Sequence, residues 1–218
     1  QNFILIFAIC VLLVISFIIK YFSGHFLLIP PTHPRTDDLN DLKLLLDHVK
    51  DSEVLVLLQT KGVLTRPWVI LELYTALTNQ VPVVALKVMN SYAYDYGDAE
   101  ELLTFLDEML DQVNPGAADM LRRQGVDLVD VAFRLSDALP AIISTEFHPS
   151  GSTRQIEAAL GDLADQIRHA QPIAPPTVTK EEWLEERKVT KAKRKRRPHG
   201  RGRAQGAGSA AEQMLADV

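Results

Sequence analysis

The pattern of apolar and polar positions divides the chain into an apolar head, a long middle and a polar tail. Residues 3–19 form an uncharged run in which Ser16 is the one polar side chain. In residues 36–50, leucines recur at steps of three and four behind an acidic first turn, which is typical of an amphipathic helix. Continuous apolar runs at 53–58, 81–88 and 139–145 are too short for helices and predict buried parallel strands.

Helical patterns separate these three strands. Pro67 fits the first turn of a helix that ends near Asn79. An apolar stripe predicts one helix over 98–113, with short helices at 116–123 and 127–137, and Ser152 with Gln155 has capping-box spacing before another. Strands alternating with helices predict an α/β fold with a doubly wound parallel sheet, whose ligands gather outside the carboxyl ends of the strands.

The apolar head has the composition of a membrane segment. About 20 helical residues cross the ~30 Å hydrocarbon layer, so residues 1–22 predict a single transmembrane helix that contacts lipid through residues 3–22. Residues 23–36 then form a linker or a partial strand, and Lys20 and Arg35 favour a cytoplasmic position for the middle of the chain. A targeting segment and a buried or artefactual apolar segment remain alternatives. The alternative locations of the chain are the cytoplasm and the nucleus.

Charge sets the tail apart from the middle. Residues 21–174 hold 11 basic and 22 acidic residues, which argues against nucleic-acid binding by the folded part. A proline-rich linker at 171–178 leads to a basic, mostly disordered tail at 179–218, in which Thr179 and Glu182 predict a polar helix through the early 190s. Ten of the seventeen residues at 187–203 are basic, so this run suits anionic lipid, nucleic acid, nuclear import or simple solubilisation.

The sequence contains no recognisable motif for binding a metal or a cofactor. The single cysteine, Cys10, excludes an internal disulfide and a cysteine-cluster zinc site, and the six histidines lack ligand spacing. No glycine-rich phosphate loop or nucleophile elbow is present. We therefore predict no metal and no cofactor, and we expect Asp107, Glu108 and Asp111 to lie on a solvated helix face.

The most informative residues follow the first predicted strand. Ser52 to Leu58 precede Arg66-Pro67-Trp68, and Glu72-Leu73 and Ala76 follow on the next helix. Over roughly residues 37–170 this order resembles the Toll/interleukin receptor (TIR) domain family. The resemblance implies a flavodoxin-like sheet and signalling by association with other TIR domains or with itself. In active members it also implies cleavage of NAD+, as a substrate, by the glutamate matching Glu72.

One part of the family pattern is missing or replaced. The family's first strand and helix would fall where this chain has its apolar head and the cluster Pro30, Pro31 and Pro34. Proline breaks regular strands and helices, so only Phe26–Ile29 could supply that strand.

The chemistry of the bond gives a reason for a carboxylate at position 72. Breaking the nicotinamide–ribose bond builds oxocarbenium charge on the sugar, which a nearby carboxylate stabilises. Nicotinamide leaves as a neutral molecule, so no general acid is needed. Trp68 shares a helical face with Glu72 and could wall the same cleft. The alternative is that Trp68 packs at the helix start and Glu72 is a solvated or ion-paired acid.

A tyrosine-rich loop supplies further substrate-binding candidates. Tyr92 and Tyr94 follow the second predicted strand, where their rings could stack on a base, and Asp95 could bind a ribose hydroxyl. Surface packing is the alternative for this loop. Three functional classes therefore remain open: an NAD+-cleaving signalling domain, a non-enzymatic adaptor or scaffold, and a protein that binds nucleic acid or lipid through its tail.

Overall fold

Three parallel strands form the sheet in the computed structural model, which describes residues 44–90 and 93–196. The strands are β1 (Leu55–Gln59), β2 (Val83–Val88) and β3 (Ser144–Phe147). They lie side by side in chain order, and both neighbouring pairs are parallel. The prediction of an α/β fold with a parallel sheet flanked by helices is confirmed at this level.

Helices connect the strands and continue beyond them. Residues 44–50 are helical and form α1. The other α-helices of the described part are α2 (Pro67–Thr78), α3 (Tyr96–Thr104), α4 (Leu106–Val113), α5 (Ala117–Arg123), α6 (Leu128–Ala138), α7 (Thr153–Arg168) and α8 (Lys180–Arg196). Two 3-10 turns lie at Val63–Thr65 and Leu139–Ala141.

Both faces of the sheet are covered, as its apolar strands require. On one face Val84, Leu86 and Phe147 pack against Ala159 and Leu163 of α7. Side chains alternate along a strand, so Leu57 and Ala85 point to the opposite face, where α2 packs against β2. A parallel sheet buried on both sides leaves its strand ends and loops as the places for chemistry.

Two predicted boundaries were wrong for local reasons. The single helix expected over 98–113 is two helices, because Phe105 leaves the helical conformation and its buried ring faces α8 instead. The third strand begins at Ser144 rather than 139, because Pro140 lies in the 3-10 turn Leu139–Ala141 that precedes it.

The two capping boxes expected from the sequence are present. Ser152 and Gln155 bond each other's backbone N–H at the start of α7. At α8, the Glu182 carboxylate accepts the Thr179 N–H at 2.9 Å and the Thr179 hydroxyl accepts the Glu182 N–H at 3.2 Å. The predicted polar helix is therefore confirmed, and it runs to Arg196.

The acids of α4 do not share a solvated face, contrary to expectation. Asp107 and Glu108 form ion pairs with Arg187 of α8, and Glu108 also binds Lys191. Asp111 is exposed, but its carboxylate accepts the N–H of Ala118 at the start of α5, at 3.0 Å. The error arose because the prediction treated the basic helix and the acidic helix as separate parts of the chain.

A polar network joins α2, α6 and α8. The Tyr74 hydroxyl donates to Asp130 at 2.8 Å, Arg134 donates to the same carboxylate at 2.8 Å, and Lys180 lies 3.3 Å from it. Desolvation raises the pKa of Asp130, but the hydrogen bonds from Arg134 and Tyr74 outweigh it and leave the pKa below its ordinary value. Burial, followed by the bond to Asp130, raises the pKa of Tyr74 to about 12.

Tyr74→Phe is expected to lower the free energy of unfolding by about 1.5 kcal/mol at neutral pH, since a hydrogen bond to a charged group is lost. The lowered pKa of Asp130 means that its contribution is present above an unfolded-state value near 3.8 and disappears as the pH falls through the folded-state value. The effect of Tyr74→Phe should shrink over that window. Urea denaturation measures it, and an equally large effect in an Asp130→Asn background would contradict the assignment.

Several expectations fall on residues outside the described part. These are the membrane helix at 1–22, the partial strand within 23–36 and the tail beyond 196. Among the helices of residues 44–90 and 93–196, none is both long and apolar enough to cross a bilayer.

Candidate functional site

Glu72 occupies an unusual position on α2. It is the only charged residue of this twelve-residue helix, and buried neighbours lie on both sides of it, including Leu71, Leu73 and Ala76. Its side chain is half-buried, and within the described residues no hydrogen bond or ion pair reaches its carboxylate. Burial raises the pKa of Glu72 above its ordinary value. An unpaired, partly desolvated carboxylate is costly to keep and is typical of functional sites.

Trp68 lies one turn before Glu72. Positions four apart on a helix share a face, so the indole and the carboxylate are neighbours along α2. The tryptophan is 39% exposed, which is high for a large aromatic residue on a helix that has six buried residues. The structure thus leaves part of the Trp68 side chain accessible to solvent.

A separate cavity of about 530 Å³ opens at the carboxyl ends of β1 and β2. Its size is within the ~300–1,000 Å³ range of small-molecule sites. The loop after β1 and the loop after β2 supply most of its walls, and a bridge between Thr60 and Ala93 ties these loops together. Its polar lining comprises Lys61, Thr65, Asn90, Tyr94, Asp95, Asp98 and Glu101.

Two of the predicted substrate-binding residues line this cavity. Tyr94 is 8% exposed, stacks edge-on against Tyr96 at 5.1 Å, and has no hydrogen-bond partner for its hydroxyl in the described part of the chain. Burial, and secondarily Tyr96, raises the pKa of Tyr94 to about 12, so the hydroxyl stays protonated as a donor. Asp95 accepts the Asp98 N–H at 2.9 Å and caps α3, and its second oxygen has no partner among the described residues.

The other predicted site residues lie elsewhere. Neither Glu72 nor Trp68 contributes to the lining of the cavity. Tyr92 lies outside the described residues. The structure therefore brings Tyr94 and Asp95 together, places Trp68 and Glu72 together on α2, and gives no contact between the two groups.

A hydrogen-bonded chain near the cavity was not predicted. The Tyr96 hydroxyl donates to the Ser144 hydroxyl at 3.2 Å, which donates to Gln59 at 2.7 Å, and the Lys87 ammonium lies 4.5 Å from the centre of the Tyr96 ring. Gln59 ends β1 and is 2% exposed. A glutamine closing an otherwise apolar strand was the one sequence signal for this chain of contacts.

The described residues contain no group of three or more His, Cys, Asp or Glu side chains that could hold a metal ion. In comparisons with known proteins, no protein family, curated protein or solved structure matches the chain.

Proposed function

We propose that this chain is a TIR-like signalling domain that self-associates and cleaves NAD+ at the nicotinamide–ribose bond, with Glu72 as the catalytic carboxylate. The proposal rests on the half-buried carboxylate of Glu72, which has no hydrogen-bond or ion-pair partner among the described residues and lies on an otherwise uncharged helix. An acid that served only structure would be expected to bind a base or to face water.

The environment of Glu72 suits the chemistry. The transition state carries positive charge on the ribose, and an unpaired carboxylate in a partly desolvated position interacts with that charge more strongly than one in open water. Because nicotinamide departs without a charge, a second carboxylate is not required. Trp68, one turn away on the same helical face, offers a flat apolar surface on the side of the carboxylate.

The arrangement of strands agrees with the proposed fold. A flavodoxin-like sheet has the strand order 2-1-3-4-5, in which the last three strands are neighbours in chain order and parallel. β1, β2 and β3 have this relationship, and helices cover both faces. The flavodoxin-like and TIR-like assignments remain part of the proposal: with β1, β2 and β3 as the third, fourth and fifth strands of that order, the first two strands would fall before residue 44.

In this proposal the cavity binds a part of NAD+ away from the bond that Glu72 cleaves, because Glu72 does not line the cavity. Tyr94 offers a hydroxyl donor and an aromatic surface, and Asp95 offers a carboxylate oxygen of the kind that binds ribose hydroxyls. Both lie at the strand ends where parallel α/β sheets bind their ligands. Their contribution would be to substrate affinity rather than to bond cleavage.

Nicotinamide release from NAD+ tests this function. The full chain, at high concentration and clustered on a support, should release nicotinamide in proportion to the amount of protein. Absence of release under both conditions would overturn the enzymatic proposal. Self-association that persisted there, measured by light scattering, would favour the non-enzymatic scaffold.

A further inference from the structure

The basic face of α8 binds an acidic surface of its own domain. Arg187, Lys191 and Arg194 are spaced four and three residues apart, so they share one face of the helix. Arg187 pairs with Asp107 and Glu108, and Lys191 pairs with Glu108. Arg194 pairs with Glu101 at 2.9 Å. We call Glu101, Asp107 and Glu108 the acidic surface.

Aromatic rings add to this contact at Arg187. Its guanidinium lies 5.4 Å from the ring centres of both Phe105 and Trp183, and its side chain is 9% exposed. Its Nε is buried and has no hydrogen-bond partner among the described residues. One donor of the docked arginine is therefore unsatisfied, which weakens the contact that holds the helix.

Little else holds α8. Trp183 packs edge-on against Phe133 at 5.6 Å, and Lys180 binds Asp127 and Asp130. Every residue of α8 whose side chain is described is exposed or only partly buried. The preceding segment, 171–178, contains three prolines and belongs to no helix or strand. A helix held mainly by charge pairs near the surface is sensitive to competing charges.

We propose that α8 is an electrostatic latch, whose basic face binds the acidic surface in solution and exchanges it for an anionic lipid bilayer. Seven of the ten residues at 187–196 are basic, and polybasic segments gain about 1 kcal/mol per residue at such a bilayer. The docked helix has its three best-placed cations already neutralised by the acidic surface. It must therefore leave that surface to use them on lipid.

Lipid suits this face better than nucleic acid does. The same chain carries the uncharged apolar run of residues 3–19, which has a lipid-seeking composition, and Trp183 is a residue type that prefers the membrane interface. Residues 21–174 hold twice as many acidic as basic residues, so the folded part is repelled by an anionic bilayer and only the released helix approaches it. The inference does not depend on the proposed NAD+ cleavage.

Vesicle binding by the full chain tests the latch. Binding to vesicles of phosphatidylcholine alone measures the charge-independent contribution of the apolar head. The affinity for vesicles that contain both phosphatidylserine and phosphatidylcholine, divided by the affinity for phosphatidylcholine vesicles, measures the electrostatic contribution. The triple variant Glu101→Gln, Asp107→Asn, Glu108→Gln removes the negative charges of the acidic surface, which compete with the lipid for the basic face of α8. It should raise that ratio about tenfold, which corresponds to about 1.4 kcal/mol.

A control variant of equal charge separates release from net charge. Glu146→Gln, Glu157→Gln, Asp162→Asn neutralises three exposed acids on β3 and α7. An equal rise in the ratio for both variants would overturn the latch. So would amide hydrogen exchange in α4 and α8 that is the same with phosphatidylserine vesicles as without them. Conversely, Arg187→Gln, Lys191→Gln, Arg194→Gln should lower the ratio below that of the parent, because three of the seven basic residues at 187–196 are lost; an unchanged ratio would overturn the latch. Tighter binding of the parent chain to a duplex oligonucleotide than to these vesicles at the same salt would overturn the assignment to lipid.

Discussion

Glu72→Gln is expected to lower the rate of nicotinamide release about 100- to 1000-fold, since these are the usual losses when one preorganised electrostatic group is removed. Glutamine keeps the shape of the side chain and one acceptor oxygen but cannot carry the negative charge that stabilises the ribosyl cation. The loss should appear in kcat more than in KM, because the charge develops only in the transition state.

The matched control for this variant is Glu157→Gln. Glu157 is an exposed acid on α7 that forms no hydrogen bond or ion pair among the described residues, so its replacement changes the net charge by the same amount. This control should retain parental activity. If the parent chain releases nicotinamide and Glu72→Gln releases it at the same rate, Glu72 is not the catalytic carboxylate.

Stability should change in the opposite direction to activity. Because burial raises the pKa of Glu72, the folded chain holds this proton more tightly than the unfolded chain. The stabilisation is thus present below an unfolded-state value near 4.5 and is lost as the pH rises through the folded-state value. Glu72→Gln should therefore have a higher Tm than the parent at neutral pH and a similar Tm at acidic pH. A lower Tm at neutral pH would indicate an attractive partner for the carboxylate.

Ala85→Leu is expected to cost about 2–5 kcal/mol of unfolding free energy. Ala85 is 0% exposed and lies in β2, level with Leu57 of β1 and Ser144 of β3. The Ser144 hydroxyl reaches across β2 to donate to Gln59, which is level with Lys87 on the same face of the sheet. A larger side chain there overpacks the core by about 1–3 kcal/mol and also separates the buried Gln59 amide from its partner, at a similar cost. Chemical denaturation of both proteins measures the difference.

Ala158→Leu serves as the comparison. Ala158 is exposed on α7, where leucine is a good helix former, so the expected change is within about 0.5 kcal/mol. A small effect at both positions would show that the core rearranges around the larger side chain at position 85. The bond between Gln59 and Ser144 would then contribute little to stability.

Local signals predicted the elements of the fold well. The apolar runs located the strands, and Ser152 and Thr179 marked helix starts because capping depends on residues three positions apart. The failures were also local. Phe105 interrupts an unbroken apolar stripe because its ring packs against α8, and no pattern within residues 98–113 carries that information.

The site was less predictable because its contacts span the chain. Tyr94 and Asp95 come together in the cavity since both lie in one loop. The bond between Gln59 and Ser144 joins residues 85 positions apart, and that between Arg187 and Asp107 joins residues 80 apart. Sequence reasoning had no means of pairing them. The roles of Glu72 and Trp68 stay predictions that rest on the resemblance and on their position in α2.

The way α8 is attached has a consequence for a chain cut once in its proline-rich segment, 171–178. The cut would leave every ion pair in place but turn an intramolecular contact into a bimolecular one, whose effective concentration is no longer in the millimolar range. On dilution or in high salt the fragment should dissociate and uncover the rings of Phe105 and Phe133. The cleaved protein would then remain soluble in low-salt buffer and aggregate in high-salt buffer.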